Sequence, residues 1–188
     1  MAVKKQWYEV MAPEMFGGKS IGETLAADPR QLMGRTLNVS LIEISRNYSK
    51  FYVKIKVRID SIDGHIAHTK LVGHECMRER IYRMVQRHGR RVDAVQDVVT
   101  KDGVKVRVKT VFMLIKRVGS STKNDTRKTA IDIIGEAAKK MNLDEFINAV
   151  ITGDLQYKLK KDCSKVYPVG SIEIRRTEVV DEKKVVAA

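Results

Sequence analysis

Apolar and polar residues alternate along the middle of the chain, most clearly in residues 103–115. Every second residue there is apolar or β-branched, which is the period of a strand with one buried face. The residues between them begin as Lys105, Arg107 and Lys109 and end as apolar side chains. We therefore predict a long strand that starts at a basic surface and ends inside the core.

The same period predicts five further strands, and two Asp-Gly pairs predict hairpin turns between strands. The strands are expected over residues 36–44, 51–61, 65–73, 91–101 and 169–180, and the turns at 63–64 and 102–103. In the strand 51–61, Lys54, Lys56 and Arg58 alternate with apolar residues, so they should lie about 7 Å apart along one basic face.

Apolar residues recur at helical spacing in residues 77–88 and again near the carboxyl end. A loop is predicted from residue 116 to about residue 130. Helices should follow over 131–141 and over 154–166, and between them a helix is expected from a capping box of Asn142 and Glu145 to about residue 151. Because helices follow strands in blocks, we predict an α+β fold: a curled or barrel-like antiparallel sheet of about six strands with helices packed on one side.

Three segments are expected along the chain. Residues 1–34 show no sustained period and should form an extended N-terminal arm with at most short helical turns. Residues 35–180 should form a single α+β domain that binds RNA, and residues 181–188 a flexible C-terminal tail.

The charge is concentrated in one block of the chain. The net charge is +13, and residues 46–128 alone hold 21 Lys and Arg against 8 Asp and Glu, while the rest holds 15 of each. A confined positive field indicates a nucleic acid or an anionic membrane as partner. The longest unbroken apolar run, residues 111–115, is far shorter than the ~20 residues that span a bilayer, so no membrane partner is expected.

The compartment is expected to be the cytoplasm. The amino terminus has no apolar core of a signal peptide. The sequence has two cysteines, Cys76 and Cys163, without paired spacing, which argues against a disulfide framework and fits a reducing environment.

The basic side chains and two aromatic residues of the amino terminus are the candidate RNA-binding residues. Six arginines in residues 78–91 repel one another unless a polyanion compensates them, and only two glutamates lie nearby. No helix-turn-helix or zinc-finger spacing is present, and arginine forks on an irregular surface suit folded RNA. The candidate residues are Lys4, Lys5, Trp7, Tyr8, Lys54, Lys56, Arg58, Arg80, Arg83, Arg87, Arg90, Arg91, Lys105, Arg107, Lys109, Lys116, Arg117, Lys123, Arg127 and Lys128.

No cofactor, metal or catalytic residue is expected from the sequence. The run Gly17-Gly18-Lys19-Ser20 lacks the first glycine of a phosphate-binding loop and the strand before it. His65, His68, His74 and Cys76 lack the second pair of ligands that a zinc site requires.

The alternative from another class is an RNA-processing enzyme, a metal-dependent nuclease that uses Asp60 and Asp63. However, Asp63 is also what an Asp-Gly turn requires. No further constellation supports an enzyme.

Several motifs together resemble one known family over nearly the whole chain. They are KQWYEVMAPEMF (5–16), IGETL (21–25), GR (34–35), VSL (39–41), TKDG (100–103), RKT (127–129), VYP (166–168) and EIRRTEV (173–179). In these motifs the chain resembles the small-subunit ribosomal proteins of archaea and eukaryotes called e-S-one, formerly S-three-A-e. The short amino terminus and brief tail are similar to those of archaeal members.

The resemblance implies a structural protein of the platform of the small ribosomal subunit, not an enzyme. Its partners would be the small-subunit rRNA near the rRNA 3′ end, neighbouring small-subunit ribosomal proteins, and mRNA near its exit. By the same resemblance the arm with Trp7, Tyr8, Pro13 and Phe16, and the loop with Arg127 and Lys128, would meet rRNA. A non-ribosomal assembly or translation factor of the same fold is a further alternative.

Overall fold

The structure is a computed structural model that describes residues 5–45 and 48–180, with only the backbone described at Ser49. Within these residues the chain has eight strands and five α-helices, so the predicted α+β class is confirmed, with more strands than the expected six. Lys4 and the predicted tail 181–188 lie outside the described residues. Among the described helices, none is both long and apolar enough for a membrane span.

The chain divides into two compact units, one ending at His74 and the other beginning at Glu75. The first unit is built from β1 (Gln6–Met11), β2 (Ser20–Ala26), β3 (Thr36–Ser40), α1 (Leu41–Ser45), β4 (Val53–Asp63) and β5 (Ile66–Cys76), the last two residues of β5 counting with the second unit. Its strands lie in the order β2-β1-β5-β4-β3. Glu9 to Met11 of β1 pair in parallel with β5, whereas β1–β2 and β3–β4 are antiparallel.

The amino-terminal segment was expected to lack strands, and this was wrong. Residues 6–26 form the antiparallel hairpin β1–β2, in which Tyr8, Val10 and Ala26 are buried. These side chains pack in one cluster with Leu32, Ile59 and Ala67. The sequence of residues 6–26 shows little alternation of apolar and polar residues. The residues that complete their apolar cluster, Ile59 and Ala67, come from β4 and β5, far along the chain.

The alternation predicted for residues 51–61 is confirmed in β4. Ile55 and Val57 are fully buried, whereas Lys54 on the other face is exposed. The hairpin to β5 turns at Gly64, whose φ of +58° lies in the left-handed region that glycine adopts without strain. The strand predicted over 36–44 is shorter than expected, because the chain enters α1 at Leu41.

The second unit is a three-stranded antiparallel sheet with helices. Its elements are α2 (Arg78–Met84), β6 (Arg90–Val99), β7 (Lys105–Leu114), α3 (Ser120–Lys140), α4 (Leu143–Thr152), α5 (Asp154–Val166) and β8 (Val169–Val179). The strand predicted first, β7, lies between β6 and β8. Its residues Lys105 and Arg107 are exposed, while all of 110–114 is buried, as the pattern predicted.

One face of β7 is buried along its whole length. Thr110, Phe112 and Leu114 of β7 are buried on it, and α3 and α5 pack against β6 and β8. Because paired residues of antiparallel strands share a face, Arg107 and Lys109 lie on the opposite face with Asp97 and Glu178.

Residues 120–130 are helical, which corrects the predicted loop. Helix α3 begins at Ser120, eleven residues before Ile131, the first apolar residue of the expected helix. Thr126 and Ala130 are fully buried one turn apart, and the hydroxyl of Thr126 donates to the carbonyl of Thr122 at 2.8 Å. Because this intrahelical bond satisfies its hydroxyl, Thr126 can be buried on the same side of α3 as the apolar residues. A search for apolar periodicity alone does not detect such a residue.

Candidate nucleic-acid interface

In the first unit, one face of β3 and β4 presents basic and small polar side chains. Lys54 is exposed, and Lys56 and Arg58 are half-buried on the same face. The β3 residues paired with these three are Ser40, Asn38 and Thr36, respectively. This face therefore presents three cations and several hydrogen-bonding groups, with no carboxylate on the paired β3 positions.

The aromatic residues of β1 have different environments. Trp7 is 62% exposed, whereas Tyr8 is 2% exposed and belongs to the core cluster of the first unit. Lys5 is exposed and precedes β1. Trp7 can therefore stack on an RNA base, and Tyr8 cannot without leaving the core.

In the second unit, the basic residues of the sheet are largely neutralised by acids on the neighbouring strands. Arg107 donates to both carboxylate oxygens of Asp97 at 2.7 and 2.9 Å. This bond and the positive charge hold the pKa of Asp97 below its ordinary value, against the smaller effect of burial, and raise the pKa of Arg107. Lys109 pairs with Glu178 at 3.5 Å, and Arg176 contacts the same carboxylate.

Two arginines of the predicted repulsive stretch are also compensated. Arg80 of α2 donates two hydrogen bonds to the buried carboxylate of Glu173. Arg91 is paired with Asp93 at 2.7 Å. Because Glu173 is 93 positions from Arg80, local sequence could not show this pairing. Arg83, by contrast, is exposed and has no acidic partner among the described residues.

Four cations collect at one end of the second unit's sheet. The register pairs Arg90 with Leu114, so the segment before β6 and the segment after β7 meet there. This places Arg87 and Arg90 at the same end as Lys116 and Arg117. All four are exposed and have no acidic partner within the described part of the chain. We call these four residues the basic end.

The turn that leads into the basic end is tightly built. His88 has a φ of +68°, an uncommon conformation for a residue with a side chain. A Cβ on Gly89 would lie 3.0 Å from the carbonyl oxygen of Leu114. The close approach favours glycine and holds this turn, which contains Arg87 and leads to Arg90, against the end of β7.

The basic residues of α3 differ in their availability. Arg127 is half-buried and donates to the backbone carbonyl of Asp93 and to Asn124 Oδ1, both at 3.0 Å. Lys128 is exposed, and Lys123 is half-buried. Helix α3 also begins directly after the basic end with no acid in its first turn and no side-chain cap. Its free N–H groups favour an anion.

The nuclease site suggested by Asp60 and Asp63 gains no support from the described residues. Asp60 and Asp63 lie three positions apart on β4 and so point to opposite faces, and Asp63 contacts His68 at 3.2 Å. No group of three or more acidic, histidine or cysteine side chains in the described ranges could hold a metal ion.

Sequence reasoning missed several polar residues that now belong to these surfaces. Asn38 and Ser40 stand opposite the lysines of β4, and Ser120 opens α3. The alternation of polar residues along β3 was a usable signal for the first two. Nothing local indicated that Ser120 starts a helix.

Comparison with known proteins gives one consistent result. A family model described as the Ribosomal S3Ae family matches residues 2–183. A protein of Methanothrix thermoacetophila named small ribosomal subunit protein eS1 is 40% identical over 94% of this chain and 83% of its own length. Proteins of the same name from Methanopyrus kandleri and Methanobrevibacter smithii are 37% and 34% identical, each over 95% of this chain and over 86% and 92% of their own lengths. The chain therefore belongs to the Ribosomal S3Ae family.

Proposed function

We propose that this protein binds rRNA of the small-subunit platform, near the rRNA 3′ end and the mRNA exit, and supports translation there. As a member of a ribosomal protein family it is a structural component and not an enzyme. The observation that carries the proposal is the basic end, whose four exposed cations have no acid beside them in the described residues. A phosphate backbone supplies the compensation that the protein does not.

The chemistry of the surfaces suits phosphate contacts more than base reading. Arginine forks at residues 87, 90 and 117 can each hold a phosphate with two hydrogen bonds, and Lys116 adds a point charge. The first turn of α3 adds backbone donors beside them. The face of β3 and β4 offers a second set of cations in the other unit.

Association with the ribosome is tested by sedimenting lysate through sucrose gradients at low and at high salt. We expect stoichiometric protein in the small-subunit peak after a high-salt wash. Loss to the top fractions would identify a cycling assembly or translation factor instead.

The rRNA neighbourhood is tested by directed cleavage from a cysteine-tethered iron chelate. Cys76 and Cys163 are both buried, and burial raises the pKa of Cys163 to about 11, so a new surface cysteine reacts selectively. Arg117→Cys in reconstituted subunits should direct cleavage to rRNA near the 3′ end. Lys160→Cys, on the exposed side of α5, is the control. If Arg117→Cys directs cleavage to rRNA far from the 3′ end, the proposed location on the platform is wrong. Such a result would still agree with rRNA binding.

A further inference from the structure

A small cavity in the second unit is lined by three arginines. It lies beside α2 and has a volume of about 140 Å³. Its lining residues are Arg78, Ile81, Tyr82, Arg91 and Arg175. They come from α2, β6 and β8, so the cavity is built by the fold and not by one charged segment.

Two of the arginines, Arg91 and Arg175, are positioned by different features of the fold. Arg91 is held by three hydrogen bonds of 2.7 to 3.2 Å to the carboxylate of Asp93. Arg175 is the extra residue of a β-bulge, because Lys109 pairs with Arg176 and the next residue, Thr110, pairs with Ile174. A bulge turns a side chain out of the regular alternation.

The aromatic group and the third arginine come from one face of α2. Arg78 and Tyr82 are four positions apart and are therefore neighbours on the helix surface. Tyr82 is 68% exposed, so its ring is accessible to a ligand. Ile81 is buried and gives the cavity an apolar wall.

This combination matches one chemical class of ligand. Arg78 and Arg175 have no acidic partner among the described residues, so they are available to an anion. The guanidinium of Arg91, fixed by Asp93, and the ring of Tyr82 are planar groups on which an unstacked base can stack. The volume is well below the roughly 300 Å³ of the smallest usual ligand pockets and suits a single planar ring.

We propose that this cavity takes one unstacked nucleotide of a single-stranded rRNA segment. Its phosphate lies on Arg78 and Arg175, and its base lies against Tyr82 and Arg91. The inference rests on the proposed function, since it assumes an RNA partner. An acidic peptide would use the arginines but not the exposed ring, and a free phosphate would use neither planar group.

The cavity is tested with adenosine monophosphate and ribose 5-phosphate as probes, on the intact chain. Binding is followed by the NMR signals of the arginine Nε–H groups and of the tyrosine rings. We expect the nucleotide to bind about tenfold more tightly than ribose 5-phosphate, because base stacking adds that much. Tyr82→Ala should remove the difference.

A matched control is available in the same unit. Tyr157 is 74% exposed on α5, away from the cavity lining. Tyr157→Ala should leave both affinities unchanged. If the two phosphates bind equally well, or if the two tyrosine variants behave alike, the proposed nucleotide site is wrong.

A second measurement separates this inference from the proposed function. Binding of the intact chain to small-subunit rRNA is measured over a range of salt concentrations. Tyr82→Ala should weaken binding about tenfold without changing the salt dependence, because it removes stacking and no charge. If Tyr82→Ala binds rRNA as tightly as the unmodified protein, the nucleotide site is wrong but the proposed function stands. If the unmodified protein does not bind rRNA at all, the proposed function is wrong.

Discussion

At the scale of single residues, Arg127 and its neighbour Lys128 carry the same charge but have different environments. The resemblance assigns both to rRNA. In the structure Arg127 is tied to the backbone of Asp93 and to Asn124, while Lys128 is exposed. Replacing Arg127 should therefore affect the stability of the fold, whereas replacing Lys128 should affect only the binding of rRNA.

Arg127→Ala should lower the free energy of unfolding by about 1 kcal/mol, because it leaves two acceptors without their donor at a partly exposed site. Lys128→Ala should leave stability unchanged and reduce the salt dependence of rRNA binding by about one unit. Urea unfolding and salt-dependent binding measure the two effects. Equal stability of both variants would show that the Arg127 bonds contribute nothing in solution.

The pairing of Asp97 with Arg107 predicts a specific pH dependence. The pKa of Asp97 is lowered in the folded chain, so this pair stabilises the fold above the ordinary aspartate pKa of about 4. The contribution is lost as the pH falls below that value through the lowered pKa. In unfolding titrations, Asp97→Asn should flatten the acid-side loss of stability, and an unchanged profile would show that the pair does not contribute.

At the scale of elements, two glycines of the second unit should respond to alanine in opposite ways. Gly135 lies inside α3, and a Cβ there would meet nothing within 4 Å. Gly135→Ala should therefore stabilise the protein by about 0.5–1 kcal/mol, because alanine restricts the unfolded chain and favours the helix. A rise in melting temperature is the expected readout.

Gly89→Ala should destabilise the protein, because its Cβ would press on the carbonyl of Leu114 at 3.0 Å. It should also disturb the basic end, since this turn positions Arg87 and Arg90. The expected result is a lower melting temperature together with weaker rRNA binding. Unchanged rRNA binding in a clearly destabilised variant would mean that the turn does not position the arginines.

The strands and helices differ in how far sequence alone could predict them. The alternation in β4 and β7 was sufficient because each strand buries a regular apolar face. The capping pair Asn142 and Glu145 correctly marked the start of α4, and the Glu145 carboxylate accepts the Asn142 N–H at 3.0 Å. The start of α3 was missed because the buried side of the helix begins with Thr126. This residue is polar, and its hydroxyl is hydrogen-bonded within the helix.

The candidate site shows the same division between local and distant information. The excess of positive charge and its confinement to residues 46–128 were visible in the sequence. Which arginines remain available was not, because Glu173, Asp97 and Glu178 reach their partners through the tertiary fold. Arg175 was missed as well, since only a shift of strand register brings it to the cavity.

At the scale of the whole molecule, a net charge of +13 should make stability depend on ionic strength. Salt screens the repulsion among uncompensated cations more than it weakens the few close ion pairs. The melting temperature of the RNA-free protein should therefore rise as sodium chloride is increased. Calorimetry of the protein and of Arg90→Gln/Lys116→Gln/Arg117→Gln checks this, and the variant should gain less from salt.

The parallel pairing of β1 with β5 has a consequence for the synthesis of the chain. Glu9 is made well before its partner Ile66, because 56 residues separate the two between positions 9 and 66. The hairpin β1–β2 and its cluster around Tyr8 must therefore wait, incompletely buried, until β5 has left the exit tunnel of the translating ribosome. A growing chain should gain protection from protease in one step when β5 emerges, and not gradually from its amino end.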